Sequence, residues 1–452
     1  MLAATLITTL ALSTSALFSA PEPLQLEIDA PLRDLMTHLR ADDYAVAGAL
    51  TVIVEGKPVR IDGVKISLRG HTSRRETECD FPKLKIALPE GAGDRAPIFA
   101  GVHSIKIGTH CGEAVDGKLT PKYGRLANEH SPLREAFVYR LLAALDIPTL
   151  AARPARITYR DSAAAEAPTR QPLVRHAIVI EDTDDAVRRV GGQREVGEDE
   201  FSNARDRLTP ADTVRLSFAE AMIGNFDWCL KMTPDDAYRC DARHPLWNIV
   251  AADRGSGGLV PLIYDFDVAG IVTGRHLWFK DTFSRAFATS RSEAEIEVMA
   301  QLQRARTLFS RRELDEARAA FVARKPQAFH ALAAADLDPE GETIARRYLE
   351  SFYAHIESDE AFYVPVVRAP HTRVYAAADG SPACGARSTV PIGTPVSSPR
   401  QRAGARVQVM LLDALWHWTP PASCDAIRRG PVWIDAGAIG TDFPARLPET
   451  GK

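Results

Sequence analysis

The chain has 452 residues, 45% hydrophobic and 25% charged, the balance of a globular protein with room for two or three domains. Its 55 basic residues against 59 acidic ones leave a formal net charge of -4. So even a balance argues against nucleic acid or an anionic membrane surface as the partner, although local basic clusters could still grip a phosphate.

The opening stretch, MLAATLITTLALSTSALFSAPEP, is mostly apolar and ends in small residues before Pro21 and Pro23. It reads as a signal peptide over residues 1–20, with Thr14-Ser15-Ala16 as a small-residue cleavage site. No Lys or Arg precedes its apolar region, and an N-terminal membrane anchor is the alternative, because the stretch approaches spanning length. No later segment is apolar enough to cross a bilayer. The expectation is therefore a secreted or periplasmic protein with no stable transmembrane span after processing. Cys79, Cys111, Cys229, Cys240, Cys384 and Cys424 fit export, and near-neighbour pairing is the simplest disulfide arrangement. Their spacings match no zinc site.

After the leader, ALTVIVEGKPVRIDGVKISLRG alternates apolar and polar residues around turn signals, as paired strands do. FPKLKIALP and HSIKIGT are two further strand segments. SPLREAFVYRLLAALDIP is a helix by pattern, with Ser131 as N-cap, Pro132 at its first position, and Leu133, Phe137, Leu141 and Leu145 every four residues. ARITYRD and RHAIVIED form another strand pair around the Ala-, Pro- and Arg-rich loop 161–172. TPADTVRLSFAEAMIGN is a helix that stops at Gly224. LWNIVAAD and GLVPLIYDFD are strands joined by the turn RGSGG, and residues 293–356 carry amphipathic helices. From Pro365 to about Gly440 short β segments, Gly and Pro have the size and cadence of a small SH3-like barrel.

Two carboxylates, Asp265 and Asp267, stand inside the apolar run IYDFDVAGI, where a charge needs a partner or a metal. Asp227 follows a helix end, Asn248 lies in a strand, and Asp265 ends the strand after the hairpin. This order gathers hard oxygen ligands for Mg²⁺ or Mn²⁺ whose shell a nucleotide's phosphates complete. Protein kinases use that layout. On composition alone, such an Asp pair is more often a solvated turn or cap. If the strand stays extended, Asp265 and Asp267 lie on one side of it, so that one binds metal while the other caps. Upstream, LRGHTSRR sets Arg69, Arg74 and Arg75 around a small-residue turn fit for phosphate oxygens. Lys83 and Lys85 share one strand face, and Glu135 on the following helix could orient an inward lysine.

The segments SLRGHTSRRETECDFPKLKI, SIKIGTHC, LREAFVYRLLAALDIP, IVIEDTDDAVRRVG, MIGNFDW and VPLIYDFDVAGIV, in this order from about Val64 to Gly274, together resemble the CotH family of atypical secreted protein kinases, in particular an exported bacterial branch of it. The resemblance implies an α+β, divergent two-lobed kinase-like fold that moves the γ-phosphate of ATP to protein Ser or Thr. It implies an N-lobe over residues 24–190, a C-lobe over 191–360 and, beyond it, the SH3-like domain over 363–445. Asp227 takes the place of the catalytic-loop Asp and Asp265 that of the metal-binding Asp. Lys83 or Lys85 is the strand lysine, Lys85 being nearer mid-strand, and Glu135 is its partner. Cys79 and Cys111, if paired, would staple the first lobe. Departures are the acidic Glu76, Glu78 and Asp80 beside the phosphate loop and the long interval between Asp227 and Asp265, where Cys229 and Cys240 would close a hairpin.

The leading expectation is a metal-dependent phosphotransferase, with Mg²⁺ or Mn²⁺ and ATP, acting on exported or envelope proteins. Asn248 and Asp265, with Asp267, hold the metal, and Lys85, Lys83, Arg69 and Arg74 the nucleotide. The alternative is a catalytically inactive kinase-like scaffold whose SH3-like domain binds peptidoglycan or a protein partner.

Overall fold

The computed structural model describes residues 15–75, 79, 81–111, 129–162, 172–232, 244–274, 292–369, 371–383, 389–390, 394–411 and 431–441. Helices and sheets are mixed. Among the described residues the chain forms two compact units, neither of them one continuous stretch. The first comprises residues 1–209, 227–268 and 331–342, and the second 210–226, 269–330 and 343–452. Asp227, Asn248, Asp265 and Asp267 therefore belong to the same unit as Arg69, Lys83 and Glu135.

The alternating segments of the first unit build a closed barrel. Its strands are β1 (Leu24–Ala30), β2 (Ala45–Val54), β3 (Lys57–Leu68), β4 (Leu84–Ala87), β5 (Ser104–Gly108), β6 (Ala152–Asp161) and β7 (Leu173–Glu181), in the order β1-β2-β3-β4-β5-β7-β6. Neighbours run antiparallel except β1 and β6, whose parallel pairing completes the barrel. Between β2 and β3 the turn residues Glu55 (φ 50°) and Gly56 (φ 76°) are both left-handed, the two-residue turn whose twist matches that of the strands. Ile28, Leu50, Ile66, Ile86 and Ile107 fill the barrel, each burial being worth about 1.5–3 kcal/mol. Leu17, from the end of the apolar opening, joins this core, and Arg153 Nη1 donates to its carbonyl at 3.2 Å. Residues 1–14 lie outside the described residues.

The helix Ser131–Ala144 packs on β6 and β7. It begins at Ser131 itself, one residue earlier than the capping pattern predicts, with His130 in the cap position. Its buried positions extend beyond the four-residue stripe to Arg134, Glu135 and Tyr139. Arg134 can be buried because Asp338 accepts two hydrogen bonds from it, at 2.9 and 2.6 Å, and Glu340 a third at 2.9 Å. Later in this unit, β8 (Arg194–Val196), β11 (Ile249–Asp253) and β12 (Leu259–Ile263) form a three-stranded sheet, while β9 (Cys229–Leu230) pairs with β10 (Leu246–Trp247). The single strand expected over LWNIVAAD is split at Asn248, whose φ of 53° breaks the pleat.

In the second unit, Phe218, Phe321, Phe352 and Phe362 pack their rings, with centroids 5.3 to 6.3 Å apart. Among the described residues from 366 onward there are seven short strands, β13 (Val366–Val367), β14 (Thr372–Tyr375), β15 (Thr389–Val390), β16 (Gln401–Ala403), β17 (Arg406–Val409), β18 (Val432–Asp435) and β19 (Ile439–Gly440). Five of them make one sheet in the order β15-β14-β18-β17-β16, over a small core that includes Val374, Val407 and Ile434.

Cys79 and Cys111 form a disulfide closing 32 residues of sequence separation, a bond of oxidising compartments. Cys229 is also disulfide-bonded. Cys240, Cys384 and Cys424 lie outside the described residues. Among the described residues no helix is long and apolar enough to cross a membrane.

Next to Cys111, the ring of His110 packs 5.0 Å from Phe81, and its Nδ1 is buried without a partner. Burial, reinforced by the nearby charge of Arg175, pushes its pKa down to about 3. In the unfolded chain the imidazole returns to its ordinary value of about 6.5. Between these two values the unfolded chain binds more protons, so stability rises with pH across that window. His110→Phe is expected to flatten this acid limb. Urea midpoints at about pH 4 and about pH 7 measure it, and an undiminished difference in the variant would contradict the assignment.

Candidate functional site

β12 is apolar along its length and buried throughout, and it delivers Asp265 to the site. There the chain turns, because Asp265 is left-handed at φ 66°, a conformation that Asp tolerates better than most residues. The hydroxyl of Tyr139 accepts the Asp265 backbone N–H at 3.0 Å, and Phe266 is fully buried, edge-on to the Tyr139 ring at 4.8 Å. Sinking Phe266 into the core leaves the flanking carboxylates together. Asp265 and Asp267 thus meet through a turn anchored by Phe266, and not through the extended-strand alternation expected from the sequence.

The group they meet is Lys83. Its side chain is 7% exposed, its Nζ donates to Asp265 Oδ1, and Asp267 Oδ2 lies 2.9 Å away. Lys83 precedes β4, and its carbonyl accepts the Arg69 N–H at 2.9 Å, which extends the β3–β4 pairing by one step. The β4–β5 register pairs Leu84 with Ile107, so its continuation sets Lys83 opposite Gly108. A Cβ at Gly108 would come within 2.4 Å of Ile178 Cγ2 and 3.5 Å of Glu135 Oε2. The missing side chain leaves room for Ile178, its partner on β7, while Glu135 lies at ordinary contact distance. Glu135 is itself 4% exposed, and its Oε1 is buried with no hydrogen-bond partner.

These groups titrate as a set. Burial disfavours the Lys83 ammonium, but Asp265 and then Asp267 outweigh it and hold the pKa above the ordinary lysine value. Burial likewise raises both aspartates. At Asp265 the charges of Lys83 and Arg69 win and the pKa lies below the usual carboxylate range. At Asp267 burial wins despite Lys83, with Asp265 adding to it, and the pKa is raised. Glu135 is raised by burial above all, with Lys83 opposing and the two aspartates reinforcing. The pair Asp265 and Asp267 therefore carries unequal affinity for protons, as two like groups sharing one cation must.

Asp227 stands beside Asn248. The Asn248 Nδ2 donates to the Asp227 carbonyl at 2.5 Å and to its Oδ2 at 3.1 Å, while the Asn248 carbonyl accepts the Tyr264 N–H at 3.1 Å. The left-handed backbone at Asn248 makes this reach possible, and the Asp227 charge is felt at Asp267. Other residues singled out in the sequence lie elsewhere. Lys85 is 43% exposed and pairs with Asp182 at 2.8 Å. Arg74 donates to the Ala41 carbonyl at 3.3 Å and to Asp42. Arg69, Lys83, Glu135, Asp265 and Asp267 thus come together with Asp227 and Asn248 alongside, and Lys83 rather than Lys85 is the lysine at the carboxylates. Tyr139 and Gly108 carried no sequence signal beyond their place in a helix and a strand. Among the described residues no group of three or more His, Cys, Asp or Glu is arranged to hold a metal. A cation here would need Asn248 or a ligand's own oxygens to complete its shell.

Removing Lys83 leaves two carboxylates close together and largely out of water. Lys83→Met is expected to cost roughly 3 kcal/mol, and adding Asp265→Asn should recover part of that, since neutralising one carboxylate removes its repulsion of the other. Denaturant unfolding of the single and double variants measures this, and strictly additive losses would contradict the coupling. No protein-family model matches the chain, and no curated protein does. Among solved structures, the crystal structure of a Helicobacter pylori proinflammatory kinase CtkA matches with 8% identity, over 60% of this chain and 90% of that one, at a TM-score of 0.29, a superposition too loose to carry an argument.

Proposed function

We propose that the chain is a metal-dependent phosphotransferase of kinase-like, two-lobed fold, moving the γ-phosphate of ATP onto Ser or Thr hydroxyls of an exported or envelope protein. The observation that carries this reading is the buried Lys83 held between Asp265 and Asp267, with Glu135 behind it and the Asp227–Asn248 pair at its side. Asp227 is the carboxylate that orients the incoming hydroxyl and accepts its proton. Asn248 spends its amide N–H on Asp227, which leaves its side-chain oxygen for a cation together with Asp265 and Asp267. Bound Mg²⁺ or Mn²⁺ would neutralise charge developing on the phosphoryl group. Lys83 and Arg69 are the cations for the phosphate oxygens. The Cys79–Cys111 disulfide fits export, and the five-stranded C-terminal sheet is read as an SH3-like module for a cell-wall or protein ligand.

One observation favours the inactive alternative. The Lys83 ammonium already neutralises both carboxylates, so the cluster satisfies itself without a metal. Thermal unfolding of the purified protein with ATP and Mg²⁺ or Mn²⁺ separates the two readings. Ligand at about 100 times its Kd should add about 2.7 kcal/mol to stability. The expected outcome is a metal-dependent rise in Tm that Asp265→Asn abolishes. No rise with either metal would sink the phosphotransferase and leave the scaffold.

A further inference from the structure

The strand registers set a second group of cations beside the carboxylate cluster. Ser67, Lys85 and Lys106 form one cross-strand row over β3, β4 and β5, and Arg69 and Lys83 belong to the adjacent row. Leu68, Leu84, Ile86, Ile105 and Ile107 point into the barrel core, so Arg69, Lys83, Lys85 and Lys106 project from the opposite face, on strands about 4.8 Å apart. Lys83 and Lys85 have carboxylates. Lys106 donates to the Thr183 hydroxyl, and among the described residues no carboxylate lies within ion-pairing distance of its ammonium or of the Arg69 guanidinium. The Arg69 Nε is buried and without a hydrogen-bond partner. Burial, and after it the charge of Arg69, push the Lys106 pKa down to about 8, while Asp182 pulls the other way. Two cations on the strands flanking β4, each partly out of water and neither ion-paired with a carboxylate among the described residues, are what a polyanion would stabilise.

We propose that Arg69 and Lys106 form a subsite for the polyphosphate portion of the ligand, resting on the phosphotransferase reading for the identity of that ligand and not for the existence of the subsite. Lys106 is then a binding residue, whereas Lys85 is occupied by Asp182.

Calorimetric titration of the full chain with inorganic tripolyphosphate and, separately, with ATP and Mg²⁺ tests the proposal. Lys106→Met and Arg69→Gln are each expected to weaken tripolyphosphate binding about tenfold or more. Lys106→Arg should restore it, and Lys85→Met should change it by less than about threefold. Wild-type affinity in Lys106→Met, or no tripolyphosphate binding by the wild type, overturns the subsite. If Lys106→Met does not fold, the Arg69→Gln and Lys106→Arg results decide alone. Tripolyphosphate binding through Lys106 without any ATP binding would uphold the subsite and remove the nucleotide reading.

Discussion

The ammonium of Lys83 between Asp265 and Asp267 is the interaction on which the rest of the site depends. Burying an unpaired ammonium costs several kcal/mol, and one partly exposed carboxylate does not offset that well. Two do, and the pair is itself tolerable only with the cation present. Neither half is stable alone, so the start of β4 and the turn after β12 are tied by mutual need. Phe266 and Tyr139 fix the turn, and the absence of a side chain at Gly108 leaves room for Ile178 on β7.

That arrangement divides charge unevenly over a small area. Asp265 is held ionised by Lys83 and Arg69, whereas burial and its neighbour favour the protonated form of Asp267, and burial does the same for Glu135. A cation entering beside Asp267 would reverse that preference, because it would supply the charge that Lys83 now shares. Lys83 would then be released to a phosphate without becoming an unpaired charge. The cluster rests neutralised by its own lysine; on the proposed phosphotransferase reading it would exchange that lysine for a metal and an anion.

The face of the sheet beyond the cluster follows the same electrostatic logic. Lys85 is answered by Asp182, which also accepts a hydrogen bond from Ser104 at 2.5 Å. Lys106 and Arg69 have no such answer among the described residues. On the proposed reading, an extended anion would lie across β4 between these two cations.

Much of this was legible in the chain itself. Period-two alternation marked β2 through β5 and the β6–β7 pair, and Pro132 marked the start of the helix between β5 and β6 to within a residue. Carboxylates in an apolar run singled out Asp265 and Asp267, since buried charge demands a partner wherever the chain folds. Other features depend on tertiary structure. Lys83 and Lys85 share one strand face, so alternation could not choose between them; burial against the turn after β12 did. Arg74 sits in the same basic turn as Arg69 but is claimed by Asp42, a pairing 32 residues away in sequence. The left-handed backbone at Asn248 and Asp265 breaks strands that local propensity would have continued. Local pattern determines which residues alternate and which segments turn. Which lysine meets which carboxylate is decided by packing between distant segments, where burial makes one pairing far more favourable than its neighbours.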